Sequence, residues 1–132
     1  MGIYRLIFNL SLVGDLNDAI NQRKEDESGF SEHEILDVLT QLCLALMYLE
    51  QRNLVHRDLK PHNVFRASSG VYKIGDFGIS KTLTYTTISA QTSRNRGTLG
   101  YASPEVLQGK PHTFKSDIWG VGMIVHQLCT LK

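Results

Sequence analysis

The sequence predicts an α+β fold, mainly α-helical with short β-hairpins, on three observations. First, SEHEILDVLTQLCLALMYLEQR opens with Ser31 and has Glu34 three positions later, a pairing in which each side chain satisfies the other's free backbone N–H. Ile35, Leu39, Leu42, Leu46 and Leu49 then recur at steps of four, three, four and three, one buried stripe of a helix. Second, residues 115–131 form another strongly apolar run of helical length. Third, the β-type pieces between them, NLVH, NVFRA and VYKIG, are short and parted by turn residues such as Ser68, Ser69 and Gly70, so they cannot build a large sheet.

In chain order, residues 3–10 mix apolar and β-favouring types without a helical stripe, which predicts one strand, ended by Gly14. DLNDAINQRKED reads as a short surface helix closed by the polar EDESG. The long helix and the three β pieces follow. Residues 79–96 are rich in Thr, Ser, Asn and Arg without periodicity, the signature of a long exposed loop. SPEVLQ predicts one helical turn with Pro104 near its start, and residues 115–131 the second long helix. There is no internal repeat and no low-complexity tract.

Composition narrows the function. A chain of 132 residues has enough apolar surface for one core, so one folding unit is expected. Its 14 Lys and Arg against 13 Asp and Glu leave no basic footprint for holding nucleic acid. Cys43 and Cys129 lie far apart in apolar stretches, without the spacing of a zinc site or a secreted disulfide framework, and are expected to be free, buried thiols in a reducing compartment. The cytoplasm is therefore the expected location, with the nucleus as the alternative. The opening MGIYRLIFNLSLVGDL is interrupted by Asn9 and Ser11 and has no small-x-small cleavage site, so it is not read as a leader. Leu6 stands where myristoylation needs Ser or Thr, and the C-terminal apolar run is too short to cross a bilayer, so no membrane partner is expected.

The chemistry-bearing residues cluster in HRDLKPHN, residues 56–63, and in DFG, which contains Asp76. Phosphoryl transfer from a nucleotide needs cations on the phosphates, a carboxylate to orient the attacking hydroxyl and positive charge against the developing negative charge. Asp58, Lys60, Asn63 and Asp76 supply those types, and their oxygen donors suit Mg2+, which prefers few protein ligands plus phosphate and water.

Taken together and in this order, HRDLKPHN, DFG, GTLGYASPE and SDIWGVG resemble the C-terminal lobe of a eukaryotic protein kinase. The resemblance covers almost all of the chain, whereas the chain covers only the middle of the family's domain. Residues 3–13 would be the last N-lobe strand and hinge, 14–132 the C-lobe, and 76–105 the activation segment. The family's glycine-rich loop, its V-A-I-K lysine and its last C-lobe helices have no counterpart in the sequence. GDL, ILD and NVF are most similar to the NIMA-related subgroup.

The resemblance implies ATP and Mg2+ as cofactors and a protein Ser or Thr hydroxyl as acceptor. Asp58 would take the hydroxyl's proton, Lys60 would lie against the transferred phosphate, and Asn63 and Asp76 would hold the metal ions. Lys60 and Thr98 both resemble the serine/threonine branch, and Ile79 resembles kinases that prefer Thr. Phe8 would be the gatekeeper, Asn9 and Ser11 the hinge that bonds adenine, Asp15 a ribose contact and Phe65 the floor of the adenine pocket, roles compatible with plain core packing for the two Phe. His56 and Phe77 would tie the catalytic loop to the metal loop, and Asp117 would hydrogen-bond the catalytic-loop backbone from the long apolar helix.

Arg57 implies pairing with a loop phosphate added by an upstream activating kinase, for which Thr82, Thr84, Thr86, Thr87, Ser89, Thr92 and Ser93 are candidates, although Arg94 occupies a common site for it. Without the small lobe the chain is expected to run poorly or not at all alone, Glu105 to lack its usual Arg partner, and the apolar face of residues 115–131 to be uncovered. The competing function is a catalytically silent lobe that sequesters substrates or partners through residues 98–105.

Overall fold

The computed structural model describes residues 12–75 and 99–132. Within them lie a three-stranded antiparallel sheet and four α-helices: β1 Leu12–Asp15, α1 Leu16–Glu25, α2 Glu32–Glu50, β2 Val64–Ala67, β3 Tyr72–Ile74, α3 Pro104–Leu107 and α4 Phe114–Thr130. The strand expected at residues 3–10 and the loop expected at 79–96 lie outside the described residues. Mainly helical architecture with one small sheet is what the sequence predicted.

Gly14 does not end a strand; β1 runs through it. Leu12 pairs with Ala67, Gly14 with Arg66 and Asp15 with Phe65, so the register slips between Leu12 and Gly14. Gly14 has φ 147°, and a Cβ there would meet Asp18 Oδ2 at 2.9 Å. Only glycine takes this bulged backbone without strain.

Asp15 then closes the strand and caps α1. Its Oδ1 accepts the Asp18 N–H at 2.8 Å, while Asp18 Oδ2 accepts the Asp15 N–H at 3.1 Å. Although α1 was expected on the surface, Leu16 and Ile20 are fully buried, so the helix contributes to the core. Its last turn is anchored by Arg23, which stacks on Phe30, donates to the Gly29 carbonyl at 3.0 Å and pairs with Glu34.

Glu34 also completes the predicted capping box, accepting from the Ser31 N–H at 2.7 Å while Ser31 Oγ accepts from the Glu34 N–H at 3.3 Å. From that start α2 buries Val38, Leu42, Leu46 and Leu49. Ile35 and Leu39, placed on the central stripe by spacing alone, sit partly buried at its edge. The α2 stripe packs on Val121, Ile124 and Leu128 of α4, and with Leu16, Ile20, Leu59, Val64 and Ile74 these make one core. The apolar face of residues 115–131, expected to be uncovered, instead buries Val121, Ile124 and Leu128; Ile118 and Trp119 stay 48% and 43% exposed, and a groove of about 120 Å3 lies between α2 and α4.

NVFRA and VYKIG form the β2–β3 hairpin, with Val64 opposite Ile74 and Phe65 opposite Lys73. NLVH forms no strand beyond an isolated bridge at Leu54. The amides of Asn53 and Leu54 bond back to Glu50 and Leu49 of α2, and that of His56 has another acceptor, described next.

Candidate active site

HRDLKPHN folds as a loop suspended between α4 and β3. Asp117, 3% exposed on α4, accepts the His56 N–H at Oδ2 (2.7 Å) and the Arg57 N–H at Oδ1 (3.0 Å). One carboxylate thus satisfies two consecutive amides that a strand partner would otherwise take. The loop bends sharply here, since Arg57 has φ 73°. A non-glycine residue in that region costs on the order of 1–3 kcal/mol and persists where surroundings over-determine it. The Asp117 clamp supplies that constraint, as the resemblance implied.

His56 makes the second attachment. It is 1% exposed, and its Nδ1 lies 3.4 Å from the Asp58 N–H. With Nδ1 as acceptor, the neutral ring carries its proton on Nε2, which donates to the Gly75 carbonyl at 2.9 Å. Gly75 also donates its own N–H to the Asn63 carbonyl at 2.9 Å. Its missing Cβ matters too: one built there would stand 2.6 Å from Phe65 Cε2 and 2.8 Å from Cδ2. Gly75, immediately before Asp76, thus binds loop and strand by both backbone groups and lets the Phe65 ring close over it.

Within the loop, Pro61–Asn63 form one 3-10 turn that brings Asn63 back toward Asp58. Asn63 Nδ2 donates to the Asp58 carbonyl at 2.7 Å and to Asp58 Oδ2 at 3.3 Å. Lys60 Nζ lies 3.1 Å from the same Oδ2. Asp58 Oδ1 is buried and has no hydrogen-bond partner among the described residues. The Asp58 carboxylate is therefore pinned by one oxygen and unsatisfied at the other.

Three predicted residues, Asp58, Lys60 and Asn63, are brought together. Phe65 lies on β2 with its ring against Gly75, and Asp15 stands opposite it in register, with its carboxylate already serving the α1 cap. Phe8, Asn9, Ser11, Asp76, Phe77, Ile79 and Thr98, and the loop hydroxyls from Thr82 to Ser93, lie outside the described residues. Sequence reasoning missed Gly75 as a packing residue; the bulky Phe65 where most of the family has Leu was the available signal. It also missed a partner for Glu105, which accepts from Ser116 Oγ at 2.8 Å instead of standing bare.

The donors fit a hard cation. Because Asn63 Nδ2 faces two Asp58 oxygens, its carbonyl oxygen must turn away from them, a neutral oxygen ligand of the kind Mg2+ takes. No group of three or more His, Cys, Asp or Glu able to hold a metal occurs among the described residues, which do not include Asp76. None of the described helices is long and apolar enough to cross a membrane.

A carboxylate, an amide and an ammonium group on one loop, clamped from a helix by a buried Asp, define the catalytic-loop architecture of a kinase C-lobe. Residues 3–132 match the protein kinase domain family, and the chain belongs to it. It is 44% identical over 119 residues to the serine/threonine-protein kinase Nek1 of Mus musculus, covering 90% of this chain and 10% of that protein. It is 43% identical over 135 aligned residues to the probable serine/threonine-protein kinase nek3 of Dictyostelium discoideum, covering 99% of this chain and 12% of that protein. The serine/threonine-protein kinase Nek5 of Homo sapiens is 42% identical over 120 residues, covering 90% of this chain and 16% of that protein. These relatives agree with the NIMA-related resemblance in the motifs, and the chain spans only a small part of their length.

Proposed function

We propose that the chain is the catalytic-loop portion of an ATP-dependent serine/threonine protein kinase. The observation that carries this reading is the Asp58 carboxylate, with Oδ2 held by Lys60 and Asn63 and Oδ1 buried without a partner among the described residues. A carboxylate fixed in this way is prepared to accept a proton. In the proposed step a Ser or Thr hydroxyl oxygen of a protein bonds to the terminal phosphorus of ATP as the bond to the bridging oxygen breaks. The hydroxyl proton passes to Asp58, and ADP and a phosphoprotein result. The Lys60 ammonium lies where it can oppose negative charge gathering on the transferred group. Mg2+, held by Asn63 and Asp76, would neutralise the nucleotide phosphates.

The adenosine half is proposed to meet Phe8, Asn9, Ser11, Asp15 and Phe65, and Thr98 to act with the acceptor. Arg57 and the loop hydroxyls support an upstream activating kinase as a partner. Cys43 is half-buried and Cys129 exposed, rather than both buried as expected, and as free thiols they support a reducing compartment such as the cytoplasm. Thermal unfolding of the chain with and without Mg2+ and ATP tests the reading. Ligand at a hundredfold excess over its Kd stabilises by about 2.7 kcal/mol, and Asp76→Asn should lose most of that shift. Absence of any shift in the wild-type chain at saturating nucleotide would overturn it.

A further inference from the structure

Among the described residues β3 is an edge of the sheet, whose strand order is β1-β2-β3. Two ladder bonds fix which of its backbone groups face β2. Ala67 donates its N–H to the Val71 carbonyl at 2.8 Å, and Gly75 donates its N–H to the Asn63 carbonyl at 2.9 Å. Antiparallel pairing alternates, so residues 71, 73 and 75 turn their backbone groups to β2 and Tyr72 turns its N–H outward. An outward N–H on an edge strand needs an acceptor from elsewhere.

That acceptor comes from the middle of α2. The half-buried Gln41 takes the Tyr72 N–H at Oε1, at 2.7 Å and across 31 positions of chain. The same side chain donates from Nε2 to Asp37 Oδ2 at 3.1 Å, one turn earlier. A carboxylate accepts and a backbone N–H donates, so these two partners allow the amide one orientation, nitrogen toward Asp37 and oxygen toward the strand. The core that Ile74 of β3 shares with Leu42 and Leu46 of α2 is apolar, and such packing has no preferred direction. The Gln41 bond supplies the direction.

Gly75 follows directly on β3. Its N–H holds the Asn63 carbonyl and its carbonyl holds His56 Nε2, each at 2.9 Å, and Asn63 in turn holds Asp58. Where β3 stands along α2 therefore sets where the loop bearing Asp58 is attached. We propose that Gln41 is a positioning residue: by accepting the Tyr72 N–H it fixes β3 on α2, and so places Gly75 where the catalytic loop is anchored. It acts through the strand and not on the reacting groups. The inference deepens the kinase reading, since the loop is the proposed catalytic one, but its test requires no nucleotide.

The experiment compares NMR spectra and amide hydrogen exchange of the isotopically labelled full chain with those of Gln41→Met, which keeps the side-chain length and removes the acceptor. The Tyr72 amide should lose about tenfold in protection, the weight of one hydrogen bond. The Gly75 amide and the His56 Nε2 proton should shift with it, while the Asp15 and Asp18 amides of the α1 cap stay in place. Ser31→Ala, which weakens the same helix at its cap, is the control and should leave the Gly75 and His56 signals at their wild-type positions. Unchanged Tyr72 protection, or lost protection with the Gly75 and His56 signals unmoved, would overturn the proposal. So would equal movement of those signals in Ser31→Ala, which would report a general loosening of α2. Should Gln41→Met not fold, Asp37→Ala decides, since Asp37 is exposed and its removal frees the Gln41 amide to turn. Reduced Tyr72 protection together with shifted Gly75 and His56 signals supports the coupling there, and any other pattern sinks it. A wild-type chain that binds no ATP would count against the kinase reading and leave these outcomes standing.

Discussion

Replacing Gly75 with alanine isolates the packing of one methyl group against one ring. The added Cβ would sit 2.6 Å from Phe65 Cε2, so the ring must retreat by roughly 0.8 Å or more to reach ordinary contact. Backbone strain does not enter, because Gly75 is not among the described glycines with positive φ, and alanine keeps the N–H to Asn63 and the carbonyl to His56. Overpacking of this kind costs about 1–3 kcal/mol, which for a chain of this size lowers Tm by several degrees. Chemical denaturation of Gly75→Ala, Phe65→Leu and the double variant measures the cost. The double variant should recover at least about 1 kcal/mol relative to additivity, because the smaller side chain makes room for the methyl. Additive effects, or a Gly75→Ala variant within about 0.5 kcal/mol of wild type, would refute the reasoning.

Asp117→Asn presents one oxygen where two amides need acceptors, so one loop N–H is stranded; a loss of about 2–4 kcal/mol in urea unfolding is expected, and a loss under 1 would count against the clamp. Ser31→Ala removes the side-chain cap of α2 and should cost about 1 kcal/mol, read as a lower midpoint in helical circular dichroism. Stability should also fall on acidification in two windows. Burial holds the His112 pKa below 6.5 in the folded chain, so the unfolded chain binds the proton more readily, and stability is lost as pH drops from 6.5 toward the folded value. Glu34 is held below 4.5 first by its bond from the Ser31 backbone N–H, then by the Ser31 hydroxyl, so its contribution is present above 4.5 and disappears as pH falls through the lower folded value. Urea midpoints that do not change between pH 7 and 5 would contradict the His112 window.

What the sequence revealed follows the range of the interactions. The α2 helix was legible because its cap and stripe are local, and α4 because its apolar run is continuous; the β2–β3 hairpin announced itself through Ser68, Ser69 and Gly70. Features that depend on distant partners were not legible from pattern alone. NLVH looked like a strand because its side chains favour one, but the amides of His56 and Arg57 go to a carboxylate about 60 positions later. Gly14 reads as a stop signal, yet the strand continues through it as a bulge because Asp18 crowds the position. At the site, Asp58, Lys60 and Asn63 were identified by motif, and Asp117 by resemblance. The closing of Phe65 over Gly75 and the pairing of Glu105 with Ser116 needed coordinates, because each depends on a gap or a donor that no local spacing encodes.

The Asp117 clamp also sets an order of events during synthesis. A nascent chain that has emerged only as far as β3 holds every side chain of HRDLKPHN but not the acceptor for its amides, and closing so long a loop is slow compared with forming helix or hairpin. The segment proposed to transfer phosphate would thus set only after α4 has left the ribosome and docked.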